Sequence, residues 1–174
     1  MAINSEPHVH NVIICANIFV RMPSGKYLML RRSESKKYAP GFVHPIGGKV
    51  DENEDPFNAA IREVKEEAGI EVENVRLEAV INEVKPEADR DENWLIFHFS
   101  ADYKDGEVKK TDEGELIELS TDEIKHEKLF PSVKFAIDDI LDLGKGTVIM
   151  TVEYIHGEMS SKAVLKSKNI CSIW

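Results

Sequence analysis

Residues Gly48 to Ile70 read GKVDENEDPFNAAIREVKEEAGI and constrain this chain more than any other stretch. A glycine-rich turn leads into a helix expected from about Pro56 to Ala68. Asp55 suits the N-cap, Pro56 the first helical position, and Gly69 the left-handed residue that ends the helix. Phe57, Ile61, Val64 and Ala68, with Ala60 beside them, recur at helical spacing and form a core stripe. Glu63, Glu66 and Glu67 lie at i, i+3 and i+4, on one face about a third of a turn from that stripe. Like charges at this spacing repel. One side of the helix therefore packs on a sheet, and the acidic side is a candidate for divalent cations and the phosphates they hold. Taken alone, three glutamates on a helix are more often a solvated face.

The rest of the chain supplies the sheet. Asn11 to Arg21 and Lys26 to Arg32 are β-rich and flank the turn signal Pro23-Ser24-Gly25, which predicts a hairpin. A short strand is expected at Phe42 to His44, and further strands at Arg76 to Val84, Trp94 to Tyr103 and Glu115 to Leu119. A second helix fits Pro131 to Leu143, with Val133, Ile137, Ile140 and Leu141 as its apolar face. A last hairpin is expected from Thr147 onward, turning near His156-Gly157 and returning through KAVLKSKNI, where it covers a sheet edge or pairs with a second subunit. The domain plan is a loose tail at residues 1–10, one α/β domain at 11–146 and a β extension at 147–174.

Charge and cysteine usage remove several function classes. A net charge of -10 argues against nucleic-acid polymers and acidic membranes as partners, because both require basic patches. A nucleotide remains compatible, since bound cations reverse the local field. Cys15 and Cys171 make neither a disulfide framework nor a zinc pattern and suit a reducing, cytoplasmic setting. The first ten residues hold no Lys or Arg, unlike the start of a signal peptide, and the apolar run Val12 to Val20 is too short to span a bilayer.

The spacing G-x5-E-x7-R-E-U-x-E-E-x-G-U, with U a bulky aliphatic, is the Nudix box. It is matched by Gly48, Glu54, Arg62, Glu63, Val64, Glu66, Glu67, Gly69 and Ile70. The chain therefore resembles the Nudix (MutT-like) hydrolases. The resemblance implies an α/β/α sandwich with a mixed sheet over about residues 11–143, leaving the remainder uncovered. It implies attack of water on a nucleoside diphosphate linked to a group X, with release of a nucleoside monophosphate. It also implies Mg²⁺ or Mn²⁺ held by Glu63, Glu66 and Glu67, with Glu113 as a further acid and Asp112 as its neighbouring alternative. Mg²⁺ prefers a few carboxylates plus phosphate oxygens and water. Arg62 would orient the glutamates, and Glu54 would be structural. Glu63, then Glu113, are the candidates for general base. Gly47 and Gly48 would bring backbone close to the substrate, and Arg31 or Arg32 would contact phosphate.

Outside the box the signals are weaker. Trp94, Phe97 and Phe99 are either base-stacking groups or, more simply, core of a half-buried strand. His44 reads as a strand-end histidine. Ile46 stands where the family commonly has proline, and Phe130-Pro131-Ser132-Val133 lacks the asparagine tied to oxidised guanine. Pro86 hints at ADP-ribose. X therefore stays open between a nucleotide sugar and the phosphates of a canonical or oxidised triphosphate. A nucleotide-binding regulator without turnover is the alternative, against which the intact box argues. An isopentenyl diphosphate isomerase-like enzyme would need a cysteine in the cleft, and neither Cys15 nor Cys171 fits well.

Overall fold

The computed structural model describes residues 11–87, 90–142, 146–160 and 165–167. The expected N-terminal tail, Cys171 and both ends of the returning C-terminal strand lie outside the described residues. The strands are β1 Val12–Arg21, β2 Tyr27–Arg32, β3 Val43–Lys49, β4 Glu71–Val84, β5 Asn93–Asp105, β6 Gly114–Leu119, β7 Val148–Ile155, β8 Glu158–Met159 and β9 Leu165–Ser167. They run in the order β6-β2-β3-β1-β5-β4-β7-β8, with β9 also on β7. The sheet is mixed. β1 pairs parallel with β5 and β4 parallel with β7, while β1–β2, β1–β3, β2–β6 and β4–β5 are antiparallel.

Two helical layers cover the sheet. α1 Pro56–Glu63 lies on one face, while α2 Thr121–His126 and α3 Pro131–Ile140 contribute to the core on the other. Strand periodicity explains the division. Ala16, Ile18 and Val20 of β1 join Ala59, Ala60 and Val64 under α1, whereas Phe19 points to the opposite core with Val133, Ile137 and Ile140 of α3. From Cys15 to Val20 β1 feeds both cores and is therefore apolar on both faces, Asn17 excepted, rather than alternating. This is the expected α/β/α sandwich.

Several local expectations are corrected. The first helix is not α-helical throughout, because Val64–Ala68 form a π turn in which the N–H of Gly69 reaches Val64 O at 3.1 Å. Phe57 belongs to the expected core stripe yet is 44% exposed, touching Phe99 only edge-on, while small Ala59 takes the buried place. β3 extends through the glycine pair instead of ending at His44. α2 was not anticipated, although Ser120 and Glu123 form a complete capping box that marks its start. α3 ends at Ile140 rather than Leu143.

The C-terminal turn at His156 and Gly157 is found, and β7 covers the edge of β4 as expected. β7 also sends Val148, Met150 and Val152 into the core beneath α3.

One core residue makes stability depend on pH. His98 is fully buried against Phe19, neither ring nitrogen has a partner, and burial pushes its pKa down to about 4. Between that value and the ordinary 6.5 the unfolded chain binds the extra proton, so the contribution of His98 is complete above pH 6.5 and falls as pH drops toward 4. Unfolding in urea at pH 7 and pH 5 should give a loss attributable to His98 of at most about 2 kcal/mol. His98→Leu should shrink the loss, leaving a part from His44, whose pKa is also lowered to about 4. An equal loss in variant and wild type would remove His98 from the account.

Candidate active site

The site is built where the first helix meets β3. Asp55 caps α1 by accepting from the N–H groups of Phe57 (2.9 Å) and Asn58 (3.0 Å). That fixes the direction in which Arg62 leaves the helix. Arg62 donates to Glu54 through Nε (3.1 and 3.2 Å) and a terminal nitrogen (3.0 Å), to Glu63 (3.0 Å), to Glu66 (3.0 Å) and to the carbonyl of Lys49 on β3 (3.3 Å). One guanidinium thus joins three carboxylates to the end of a strand, which a point-charge ammonium could not do.

The π turn divides the glutamates. An extra residue in the turn changes the side-chain register after Glu63, and such turns recur at functional sites. The Glu66 side chain is 59% exposed, whereas that of Glu63 is 13% exposed. Glu67 turns inward, and its Oε2 is buried without a hydrogen-bond partner. Burial pushes the Glu67 pKa up to about 7, reinforced by the charges of Glu63 and Glu113. Burial also raises Glu63, against the pull of Arg62. The three glutamates therefore do not share one face equally.

Gly47 and Gly48 sit inside a strand, opposite Asn17 and Ala16, and not in a turn. What survives of the expectation is close approach. A Cβ on Gly48 would lie 2.5 Å from Glu63 Oε1, and one on Gly47, whose φ is 154°, would collide with Ala16 O and Asn17. No other residue fits either place without moving the acid or the strand.

The remaining expected residues divide. Glu113 is near enough to raise Glu67, but its carboxylate is paired with Lys36 at 2.6 Å. Arg31 is held by Glu127 at 2.9 Å and Glu115 at 3.7 Å. Arg32 donates to Tyr38 O at 3.1 Å and lines a cavity of about 290 Å³ beyond the glycine strand. Gly47, Gly48, His44 and Trp94 line the same cavity, whereas Phe99 is core and Phe97 packs against it. Cys15 also reaches the cavity, but burial lifts its thiol to about 11, so it carries little thiolate. Sequence reasoning missed Glu83 and Tyr38 in the cavity wall and named Ser132 there only as part of the stretch lacking an asparagine. Glu83 was detectable in principle, because it follows buried Ala79 and Ile81 at period two on β4.

A divalent cation fits these residues. Glu67 Oε2 is an orphaned buried carboxylate oxygen near a half-buried second acid, Glu63, an arrangement that opposite charge would relieve. Among the described residues no three Asp, Glu, His or Cys side chains already close into a coordination set.

The fold is shared with solved Nudix-type proteins. A MutT protein from Bacillus halodurans superposes with a TM-score of 0.74 at 22% identity, covering 89% of this chain and 97% of that one. A MutT protein from Methanosarcina mazei Go1 gives 0.63 at 23% identity, covering 77% and 96%. In sequence, the Nudix hydrolase YvcI of Bacillus subtilis (strain 168), itself uncharacterised, is 29% identical over 110 residues, which is 62% of this chain and 69% of that protein. The NUDIX domain profile matches residues 13–139. The chain belongs to the Nudix family, whose enzymes hydrolyse phosphoric anhydride bonds with divalent metals. Among the described residues no helix is long and apolar enough to cross a membrane.

Cation binding should register in stability. Ionising Glu67 while it is buried destabilises the fold as pH rises through about 7, and a bound cation offsets that cost. Melting temperature should therefore rise on adding Mg²⁺ or Mn²⁺, and rise more at pH 8 than at pH 6. Glu67→Gln should melt higher than wild type without metal and respond less to it. A metal response that Glu67→Gln leaves intact would place the cation elsewhere.

Proposed function

We propose that this protein is a metal-dependent pyrophosphohydrolase that cleaves the diphosphate bridge of a nucleoside diphosphate linked to a group X and releases a nucleoside monophosphate. The observation that carries this reading is the buried, unpartnered Glu67 Oε2 beside Glu63, against a glycine strand whose other residues open into a cavity. Anion and cation requirements meet at one edge there.

A divalent cation held by Glu63, Glu66 and Glu67 would supply charge neutralisation on the diphosphate and a lowered pKa for the attacking water. The chain's own residues do the rest. Arg62 keeps Glu63 and Glu66 from repelling one another and fixes both to the end of β3. The absence of a side chain at Gly48 lets Glu63 lie against the main chain of β3. Arg32, at the cavity mouth, contacts phosphate; Arg31, occupied by Glu115 and Glu127, supports the strand. Glu63 accepts the proton of water, favoured by its raised proton affinity. Glu113 is the second candidate and must first leave Lys36.

The test separates binding from turnover. Wild type, Glu63→Gln, Glu67→Gln and Glu113→Gln are incubated with Mg²⁺ or Mn²⁺ and nucleotide sugars, triphosphates and dinucleoside polyphosphates, and products are resolved by chromatography. Wild type should release nucleoside monophosphate. Glu63→Gln and Glu67→Gln should each lose about a hundredfold or more in kcat, and Glu113→Gln should lose less than Glu63→Gln. Turnover that survives Glu67→Gln with unchanged metal dependence would refute the assignment.

A further inference from the structure

The loop between β5 and β6 runs from the glutamate turn to the end of β2, and it is fastened at both ends. At the first end the N–H of Lys109 donates to Ala68 O at 2.9 Å, and a Cβ on Gly69 would lie 2.7 Å from Lys109 Cδ. At the second end Thr111 and Gly114 form a bridge, and Gly114 lies against β2 where a Cβ would collide with Arg31 O. Glu113 sits inside this second fastening. Its N–H donates to Thr111 Oγ1 at 3.2 Å, and its carbonyl accepts from the N–H of Ser33 at 3.1 Å. Both backbone groups of Glu113 are therefore committed, and what remains adjustable is the side-chain rotamer.

The carboxylate of Glu113 stands between two demands. On one side is Lys36, whose Nζ lies 2.6 Å from Oε2. Lys36 is on the turn after β2, and its N–H donates to Ser33 O at 3.1 Å. Ser33 thus holds the Glu113 main chain with its N–H and the turn that presents Lys36 with its carbonyl. On the other side is Glu67, near enough for the Glu113 charge to raise its proton affinity. The ion pair is the weaker tie. The Lys36 side chain is 30% exposed and that of Glu113 43%. Solvent screens a pair so exposed, and holding two long side chains in one geometry costs entropy. A divalent cation beside Glu67 offers a carboxylate twice the charge of an ammonium.

We infer that Lys36 is a positioning residue that acts through Glu113: the ion pair parks the carboxylate at the edge of the glutamate site, Glu113 leaves it for a divalent cation taken up there, and Lys36 sets the cation affinity by competing for that carboxylate. Uptake then costs the breaking of one exposed ion pair, and a chain without Lys36 is spared that cost. The inference rests on the metal reading of the preceding section and adds to it a residue outside the glutamate helix.

The test is titration calorimetry of the full chain with Mn²⁺ at low ionic strength, using wild type, Lys36→Met, Glu113→Gln and the double variant. Lys36→Met should bind Mn²⁺ about two- to fivefold more tightly than wild type, the range that an exposed ion pair supports. In the Glu113→Gln background the same substitution should change nothing, because the competitor has lost its target. Lys36→Arg keeps the pair and should stay near wild type, and added salt should narrow the difference between wild type and Lys36→Met. Equal tightening with and without Glu113 would reduce Lys36 to a bare nearby charge and overturn the inference, as would unchanged affinity in Lys36→Met. Absence of Mn²⁺ binding in all four proteins would overturn it together with the metal reading. Nucleotide hydrolysis by wild type without the coupling would sink this inference alone. Coupling without hydrolysis of any nucleotide would uphold it and sink the hydrolase.

Discussion

Arg62 holds one positive charge among Glu54, Glu63 and Glu66, and the site depends on that imbalance. Without the guanidinium, the acids would repel, and Glu63, half-sheltered by the sheet, would lose the partner that offsets its burial. With it, the helix is tied to Lys49 at the end of β3. The network neutralises only part of the negative charge. Glu67 remains buried with an unmatched oxygen, which stores a demand for a cation inside an otherwise satisfied framework.

The glycine strand converts that demand into a two-sided arrangement. Glu63 presses against Gly48, and Gly48 also borders the cavity. Tyr38, Trp94 and Glu83 line the same cavity. This division matches the build of a nucleotide, in which phosphates and base are separated by a rigid sugar. The acids and the cavity wall sit on different elements: the π turn and the end of α1 for one, and chiefly β3, β4 and the start of α3 for the other.

Much of this was legible in the sequence, for identifiable reasons. The cap at Asp55, the stop at Gly69 and the box spacing are local signals, and local signals survive into the structure. The α/β/α layering followed from the Nudix resemblance, strand and helix periodicity alone indicating only strands mixed with two helices. The π turn was not legible, because the residues Val64 to Ala68 satisfy an α-helical pattern equally well and the choice is made by packing against β3. The glycine pair looked like a turn because Gly47-Gly48 commonly marks one; pairing with Ala16 and Asn17 decides otherwise. Ser120 to Glu123 carried a readable capping box that passed unnoticed in a short helix. The cavity wall drew on Asn17, His44, Glu83 and Ser132, far apart in the chain, and only the pairing of β1, β3 and β4 into one sheet under α3 brings them together.

The most direct test of the central claim is the location of the cation. Mn²⁺ added at substoichiometric levels to isotope-labelled protein broadens nearby amide resonances. The account predicts broadening first at Gly47, Gly48, Glu63 and Glu67, with His98 and α3 affected far less. Broadening centred on the acidic loop Asp51 to Asp55, or spread evenly over the surface, would contradict it.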